Sequence, residues 1–331
     1  MVSLPHPILV RHDGPRLMHP LLDWNGVAQL MRVTFQSDVS SGSLPLLPDW
    51  MWLRWLQPVL GFFEWLGMET PEQMLGYVWE EQGSLVGNVT LGLSHEHERV
   101  WLLSNVAVHP SFRRRGIARA LVELAINETR RHGGRHLMLQ VQSDNVAARA
   151  LYESLGFRTV ERVSEFYGAH VQLAPAPPSG FRLANATAAQ WSQLLALISA
   201  NAPQALRSFR HSLAGTFQVG PERSLLARVN ELSRGVRYRH WCLTRDGRVV
   251  GGMLVQAQLG WGAHRSGVYV TPDAYGQAEA ALLAQAMQAL RGYPSQRVNV
   301  VAPSAHAAMR MQLQQAGLRE VRGLDVMSLA L

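Results

Sequence analysis

Between Val106 and Phe157 the chain reads VAVHPSFRRRGIARALVELAINETRRHGGRHLMLQVQSDNVAARALYESLGF. An apolar strand runs into an Arg/Gly turn that opens a helix. A second strand, LMLQVQS, follows, and then a helix that begins at Asn145 and closes at Gly156. This alternation of strand and helix predicts an α/β (α+β) fold. A turn whose main-chain N–H groups face outward at a helix N-terminus is a ready site for a phosphate-bearing ligand.

Arg113, Arg114, Arg115, Gly116, Ile117 and Ala118 have the form R-x-x-G-x-A. Gly116 lets the backbone approach a ligand with no Cβ in the way and accepts a positive φ. Ala118 keeps the next contact small. The following helix is predicted to bury Ile117, Ala120, Leu121 and Leu124 and to stop at Gly133-Gly134. Its dipole points back at the turn, and the Arg side chains add charge-assisted contacts at the rim, so a pyrophosphate suits the site. On the second helix Asn145, Ala148 and Tyr152 fall on one stripe, where Tyr152 presents a phenol able to donate a proton. The opposite stripe, Ala147, Leu151 and Leu155, is expected to be core.

The chain has 331 residues, 47% of them hydrophobic and 17% charged, which fits an ordinary globular protein of two domains and excludes a disordered one. The single cysteine, Cys242, excludes an internal disulfide framework, fits a reducing, cytoplasmic compartment, and reads as a small core residue. A net charge of +7 favours anionic partners. No run of five or more basic residues accompanies it, Arg113–Arg115 being the densest cluster, nor does an aromatic-basic platform or a reader motif, so nucleic acid is not the expected partner. No charged n-region precedes an apolar h-region at the N-terminus, and no signal peptide is expected.

Residues 49–67, DWMWLRWLQPVLGFFEWLG, carry Arg54 and Glu64 and are broken by Pro58 and Gly61, so they make a poor membrane span. They read either as a helical pair packed on its own domain or as an aromatic wall of Trp50, Trp52, Trp55, Phe62, Phe63 and Trp65 around an acceptor pocket.

The proline-rich stretch APAPPSG at 174–180 marks a boundary, giving domains at 1–174 and 179–331. Each side then follows the same order. VAVHP at 106–110 answers VYVTP at 268–272, Gly156 answers Gly317, and Gly83 and Gly87 answer Gly247 and Gly251, at offsets of 162, 161 and 164 residues. Gln82-Gly83 and Asp246-Gly247 read as hairpin turns. The reading is two copies of one α/β domain, each with a mixed central sheet flanked by helices.

Residues 106–157 resemble the GCN5-related N-acetyltransferase (GNAT) superfamily. The likeness takes in the strand VAV, the R-x-x-G-x-A turn at 113–118, and N-x-x-A-x-x-x-Y-x-x-x-G-F from Asn145 to Phe157. It implies acetyl-CoA as donor substrate, no metal, and direct transfer of the acetyl group to the primary amine of a small molecule or of a protein N-terminus. The backbone of Val106, Ala107 and Val108 would bind pantetheine and the thioester carbonyl. The N–H groups of 113–118 would hold the pyrophosphate, with Asn145 and Ala148 beside the pantetheine. Tyr152 would protonate the leaving thiolate as general acid.

LQVQSDNVAARALYESLGF resembles the corresponding segment of ribosomal-protein alanine acetyltransferases, but Gln140 stands where those carry a Glu, and Leu102 stands where histone-type members carry one. The resemblance therefore names no general base. Glu80, Glu81, His109 and Glu165 are available groups, and a water chain is equally open. In the second copy Tyr275, Ala278 and Ala280 replace Arg113, Gly116 and Ala118, while His306 and Leu313 replace Asn145 and Tyr152. That copy reads as degenerate, without acetyl-CoA binding, and serving the acceptor site or homodimerisation. A non-catalytic CoA-binding sensor or scaffold is the alternative for the whole chain.

Overall fold

The computed structural model describes residues 13–19, 22–34, 74–93, 99–168, 179–200, 235–260, 263–293 and 297–331. The Trp-rich segment 49–67, the stretch ERSLLARVNEL at 222–232, whose sequence reads as a helix, and most of the 174–180 spacer lie outside the described residues. Packing divides the chain into two compact units, 1–93 with 101–137 and Leu331, and 94–100 with 138–330.

The first unit contains β1 (Gly14–Leu17), α1 (Trp24–Thr34), β2 (Met74–Glu81), β3 (Ser84–Leu93), β4 (Val100–Val108, from residue 101 on) and α2 (Ile117–Arg131). Its strands lie in the order β1-β2-β3-β4, each antiparallel to the next. Gln82 and Gly83 both take positive φ, 52° and 78°, the two-residue turn whose twist matches the strands it joins. Helix α2 lies close on β3 because Gly87 has no side chain. A Cβ there would stand 2.9 Å from Ile117 Cγ2 and 3.0 Å from Leu121 Cδ1. The buried face of α2 is the i, i+4 row Ile117, Leu121, Ala125 and Thr129, with Val122 and Ile126 beside it. Ala120 and Leu124, expected in the core, are only partly buried, because over four turns the inward stripe follows that row.

The second unit contains β5 (His136–Gln142, from residue 138 on), α3 (Val146–Ser154), β6 (Arg158–Gly168), β7 (Phe181–Asn185), α4 (Ala188–Ala200), β8 (Val236–Arg245), β9 (Arg248–Gln258), β10 (His264–Val270), α5 (Glu279–Leu290), β11 (Val298–Pro303), α6 (Ala307–Gln315) and β12 (Arg319–Ala330). Its strand order is β5-β12-β6-β11-β10-β9-β8-β7. The β10–β11 pair is parallel, and β11–β6, β12–β6, β10–β9, β9–β8 and β8–β7 are antiparallel, so the sheet is mixed as expected. Met253, Val255, Leu282, Ala286, Val300 and Leu313 form its main core. Cys242 is fully buried in a smaller cluster with Leu194, Ile198 and Leu254, and burial raises its thiol to about 11, which makes it a packing residue.

The two sequence copies exchange their last strands. β12 of the second copy lies between β5 and β6 of the first, and β6 lies between β12 and β11. The pairs Arg162–Asp325 and Ser164–Gly323 flank Val163–Leu324 symmetrically, and each strand has one irregularity in register, between Glu320 and Arg322 on β12 and between Thr159 and Glu161 on β6. Hence the compact units are not cut at the proline spacer that separates the copies in sequence.

Helix α3 ends alike in both copies. Gly156 takes φ 91°, the Phe157 N–H donates to the Tyr152 carbonyl at 3.0 Å, and the Gly156 N–H donates to the Glu153 carbonyl at 3.0 Å. Gly317 repeats this with Leu318 to Leu313 and with its own N–H to Gln314. The left-handed glycine reverses the chain and packs the residue after it against the last turn, here Phe157 edge-on to Tyr152 at 5.8 Å. As a result the stripe carrying Ala148 and Tyr152 faces inward. Tyr152 is buried, Ala147 is exposed, and Leu151 and Leu155 are half-buried, the reverse of the expected core stripe. Among the described residues, no helix is long and apolar enough to cross a membrane.

Candidate functional site

In the first unit β4 ends at Val108, a single 3-10 turn (Pro110–Phe112) follows, and α2 starts after Gly116. Gly116 is left-handed at φ 81°, Arg114 is left-handed at φ 63°, and no side chain caps the helix. The first N–H groups of α2 are thus left to a ligand, in a turn whose alternating handedness makes an anion-binding concavity. The three arginines differ in engagement. Arg113 Nε donates to the Val108 carbonyl at 3.3 Å. Arg115 lies over the Phe112 ring at 4.7 Å, donates to the Ser111 carbonyl at 3.3 Å and pairs with Glu81 at 3.5 Å. Arg114 has no such contact among the described residues.

The strand before the turn carries a feature that the sequence reading missed. Asn88 pairs with Ala107 and Thr90 with Ser104, so Asn105 and Val106 together oppose Val89 as a β-bulge, with Asn105 at φ 55°. The fully buried Asn88 holds it. Its Nδ2 donates to the Asn105 carbonyl at 2.9 Å and approaches Thr90 Oγ1 at 3.5 Å, and Asn105 Nδ2 reaches the same hydroxyl at 3.4 Å. The bulge redirects the backbone at Val106, where the carbonyl-binding amides were expected. The signal in the sequence is a lone Asn in the middle of the apolar strand LVGNVTLGL, a residue that central strands disfavour.

In the second unit Asn145 is the N-cap of α3, its Oδ1 accepting from the Ala148 N–H at 3.1 Å. Its Nδ2 is not used by that cap. Tyr152 lies two turns on, 6% exposed, and burial raises its phenol to about 12, so it is neutral and carries its proton at physiological pH. No hydrogen bond to its hydroxyl is made among the described residues. The turn and bulge thus lie in one unit and Asn145, Ala148 and Tyr152 in the other.

Residues 28–157 match the profile of the Acetyltransferase (GNAT) family. The chain matches it over 130 of its 331 residues, 28 to 157 inclusive. It is 45% identical over 65 residues to the [Ribosomal protein bS18]-alanine N-acetyltransferase of Escherichia coli K12, which is 20% of this chain and 44% of that protein. It is 33% identical over 98 residues to the L-methionine sulfoximine/L-methionine sulfone acetyltransferase of Salmonella typhimurium, 28% of this chain and 57% of that one. The chain thus spans less than two thirds of either relative. A solved tandem GNAT protein from the clavulanic acid biosynthesis pathway shares the fold with TM-score 0.61 and 19% identity, covering 96% of this chain and 98% of that one.

Beside the GNAT motifs, the four groups considered as general bases are all engaged. Glu80 pairs with Arg16 at 2.9 Å, Glu81 with Arg115, and Glu165 with Arg322 at 2.6 Å, while His109 Nδ1 accepts from the Ser111 N–H at 3.3 Å. Leu102 is half-buried on β4 and Gln140 exposed on β5. Among the described residues no group of three His, Cys, Asp or Glu side chains is arranged to hold a metal.

The second copy of the GNAT turn is closed from within. Ala278, opposite Gly116, is right-handed, and Glu279 opens α5. The fully buried Glu279 accepts from the Gly276 N–H at 3.0 Å and stands 3.7 Å from His306 Nε2, and the Tyr275 ring packs tilted against His306 with centroids 4.0 Å apart. A carboxylate of the chain itself thus engages a main-chain N–H of this turn and places its charge at the helix N-terminus. His306 caps α6 through Nδ1 to the Met309 N–H at 3.0 Å, as Asn145 caps α3.

Proposed function

We propose that this chain is an acetyl-CoA-dependent N-acetyltransferase whose donor site is built from the first sequence copy, 1–174, with 179–331 a degenerate copy that does not bind the donor. The observation that carries the reading is the uncapped, left-handed turn at Arg114 and Gly116, whose helix N–H groups suit a pyrophosphate. Its partnership with Asn145 and Tyr152 rests on the sequence motif that spans them. Arg114, with its guanidinium uncommitted among the described residues, and the amides of 116–118 would hold the diphosphate. The Val106–Val108 backbone at the bulge would hold pantetheine and polarise the thioester carbonyl.

The acceptor is a primary amine, either of a small molecule or of a protein N-terminus. The relatives at 45% and 33% identity, one named for a ribosomal protein and one for amino-acid analogues, support both. The amine nitrogen attacks the carbonyl carbon, the C–S bond breaks, and the thiolate takes the proton of the Tyr152 hydroxyl. The nitrogen gives up its proton to water, since Glu80, Glu81 and Glu165 are each committed to an arginine. Tyr152 regains its proton from solvent.

The test is thiol release from acetyl-CoA with a panel of small primary amines and peptides beginning with alanine. Transfer to at least one acceptor, lost in Tyr152→Phe, supports the reading. Binding of acetyl-CoA with transfer to none of them would leave a CoA-binding sensor instead.

A further inference from the structure

Between the Asn145 cap and Tyr152, helix α3 presents Arg149, and the carboxylate it meets comes from the other sequence copy. Asp325 lies on β12, the exchanged strand, and is 0% exposed. Ser143 Oγ donates to its Oδ1 at 2.7 Å, Arg162 Nε donates to Oδ1 at 2.6 Å, and Arg162 Nη2 donates to Oδ2 at 3.2 Å. Arg149 Nε stands 3.0 Å from Oδ2 off the line of a hydrogen bond, and Arg149 Nη1 donates to the Ser143 carbonyl at 3.2 Å. Burial pushes the Asp325 carboxyl up, but the hydrogen bonds from Arg162 and Ser143 and the charges of Arg162 and Arg149 hold it below the ordinary range.

The pseudo-dyad supplies an internal control. At an offset of 161 residues Ser143 becomes Ser304, Arg149 becomes Arg310, Arg162 becomes Gly323 and Asp325 becomes Ser164. The main chain keeps the same bond on both sides, Ser143 N–H to the Gly323 carbonyl at 2.9 Å and Ser304 N–H to the Arg162 carbonyl at 2.8 Å. Arg310 Nη1 likewise donates to the Ser304 carbonyl at 3.3 Å. Where Asp325 binds Ser143, however, the second side has two hydroxyls, Ser164 Oγ and Ser304 Oγ, 3.0 Å apart, and Arg310 turns instead to Glu320. The same scaffold thus carries a fully buried carboxylate on one side, and on the other a hydroxyl pair with the ion pair moved out to the part-exposed Glu320. The buried carboxylate is on the side whose helix carries Asn145 and Tyr152.

We infer that Asp325 is a positioning residue. The degenerate copy contributes β12 to the first copy's sheet, and through Asp325 it anchors Arg149 and so sets where α3 holds Asn145 and Tyr152. Arg162 and Ser143 hold the buried carboxylate in place, so Arg149 meets a fixed charge, and a shift of α3 loses that ion pair while Asp325 keeps its other partners. The catalytic consequence rests on the function proposed above; the anchoring does not.

The test uses the full chain and needs no acceptor. Hydrogen exchange is followed in peptides covering 146–157 and 307–318, and the Tyr152 phenol is titrated as the ultraviolet difference between each protein and its Tyr152→Phe partner. In Asp325→Ala, exchange in 146–157 should quicken by about tenfold or more relative to 307–318, and the Tyr152 titration should move down toward that of an ordinary tyrosine. Asp325→Asn, which keeps an acceptor for Ser143 and Arg162, should fall between, and it serves if the alanine variant does not fold. Ser164→Ala, on the dyad-related side, should leave 146–157 unchanged. Equal quickening in both peptides, or none in 146–157, would overturn the anchoring. Local quickening in a chain that transfers acetyl to no amine would instead count against the proposed function alone.

Discussion

The side-chain amide of Asn88 donates to the main-chain carbonyl of Asn105 at 2.9 Å and so holds open the bulge from which β4 presents Val106. Asn105 pays for its left-handed φ of 55° with this bond and its contact with Thr90. Asn88→Ala removes the donor of this part-buried bond together with the fully buried Asn88 amide, and a loss of about 1–2 kcal/mol in urea unfolding is expected. If the bulge amides polarise the thioester, kcat should fall by about tenfold beyond any change in acetyl-CoA affinity. A stability loss with unchanged kcat would restrict Asn88 to the fold.

Gly116 has nothing within 4 Å of where a Cβ would stand, so its requirement is conformational. Gly116→Ala at φ 81° should cost about 1–2 kcal/mol and, by pushing the turn away from this shape, weaken acetyl-CoA binding in calorimetry by about tenfold or more. Unchanged affinity would mean that the turn does not hold the diphosphate.

Gly87 is the opposite case, limited by space. A Cβ there meets Ile117, Leu121 and Trp79 at 2.9–3.0 Å. Gly87→Ala should destabilise the first unit by about 1–3 kcal/mol, as overpacking does, with thermal unfolding as the readout.

Tyr152→Phe removes the proposed acid and should lower kcat by about 10²-fold or more with little change in acetyl-CoA KM. Since burial raises the phenol to about 12, kcat should show no falling limb from Tyr152 between pH 7 and 10. The folded state binds this proton more tightly than the unfolded chain does. Stability therefore falls as pH rises from about 10 to about 12, by up to about 3 kcal/mol, and the Phe variant lacks that fall.

Glu279 fills the second turn with the chain's own carboxylate. Calorimetry should find one acetyl-CoA per chain, and the Gly116 variant should leave no residual tight site. Two equivalents in the unaltered protein would show that the second copy retains a donor site.

Much of the local structure was legible. Both hairpin turns, the strand before each Arg/Gly or Tyr/Gly turn, the helices after them and the mixed sheet follow from alternation, glycine placement and turn chemistry, all of which act over a few residues. The inward face of α3 was misread because apolar count favoured Ala147, Leu151 and Leu155. The glycine after the helix packs Phe157 on Tyr152 and so turns the tyrosine inward. The bulge escaped notice because it depends on how two strands register.

The sequence by itself determined that two segments repeat one order of strands and helices, that the first carries the GNAT-like motifs with their glycine and tyrosine, and that the second has alanine and leucine at those positions. Each of these is a property of residue type at short spacing. Tertiary structure alone decided that β6 and β12 change places, that Asn88 shapes the strand carrying Val106, and that Asp325 reaches Arg149. Those pairings join residues 152 or more positions apart across the exchanged strands, or neighbouring strands in offset register. A strand's polar residue reveals its role only when the partner that must satisfy it in the dry interior is known.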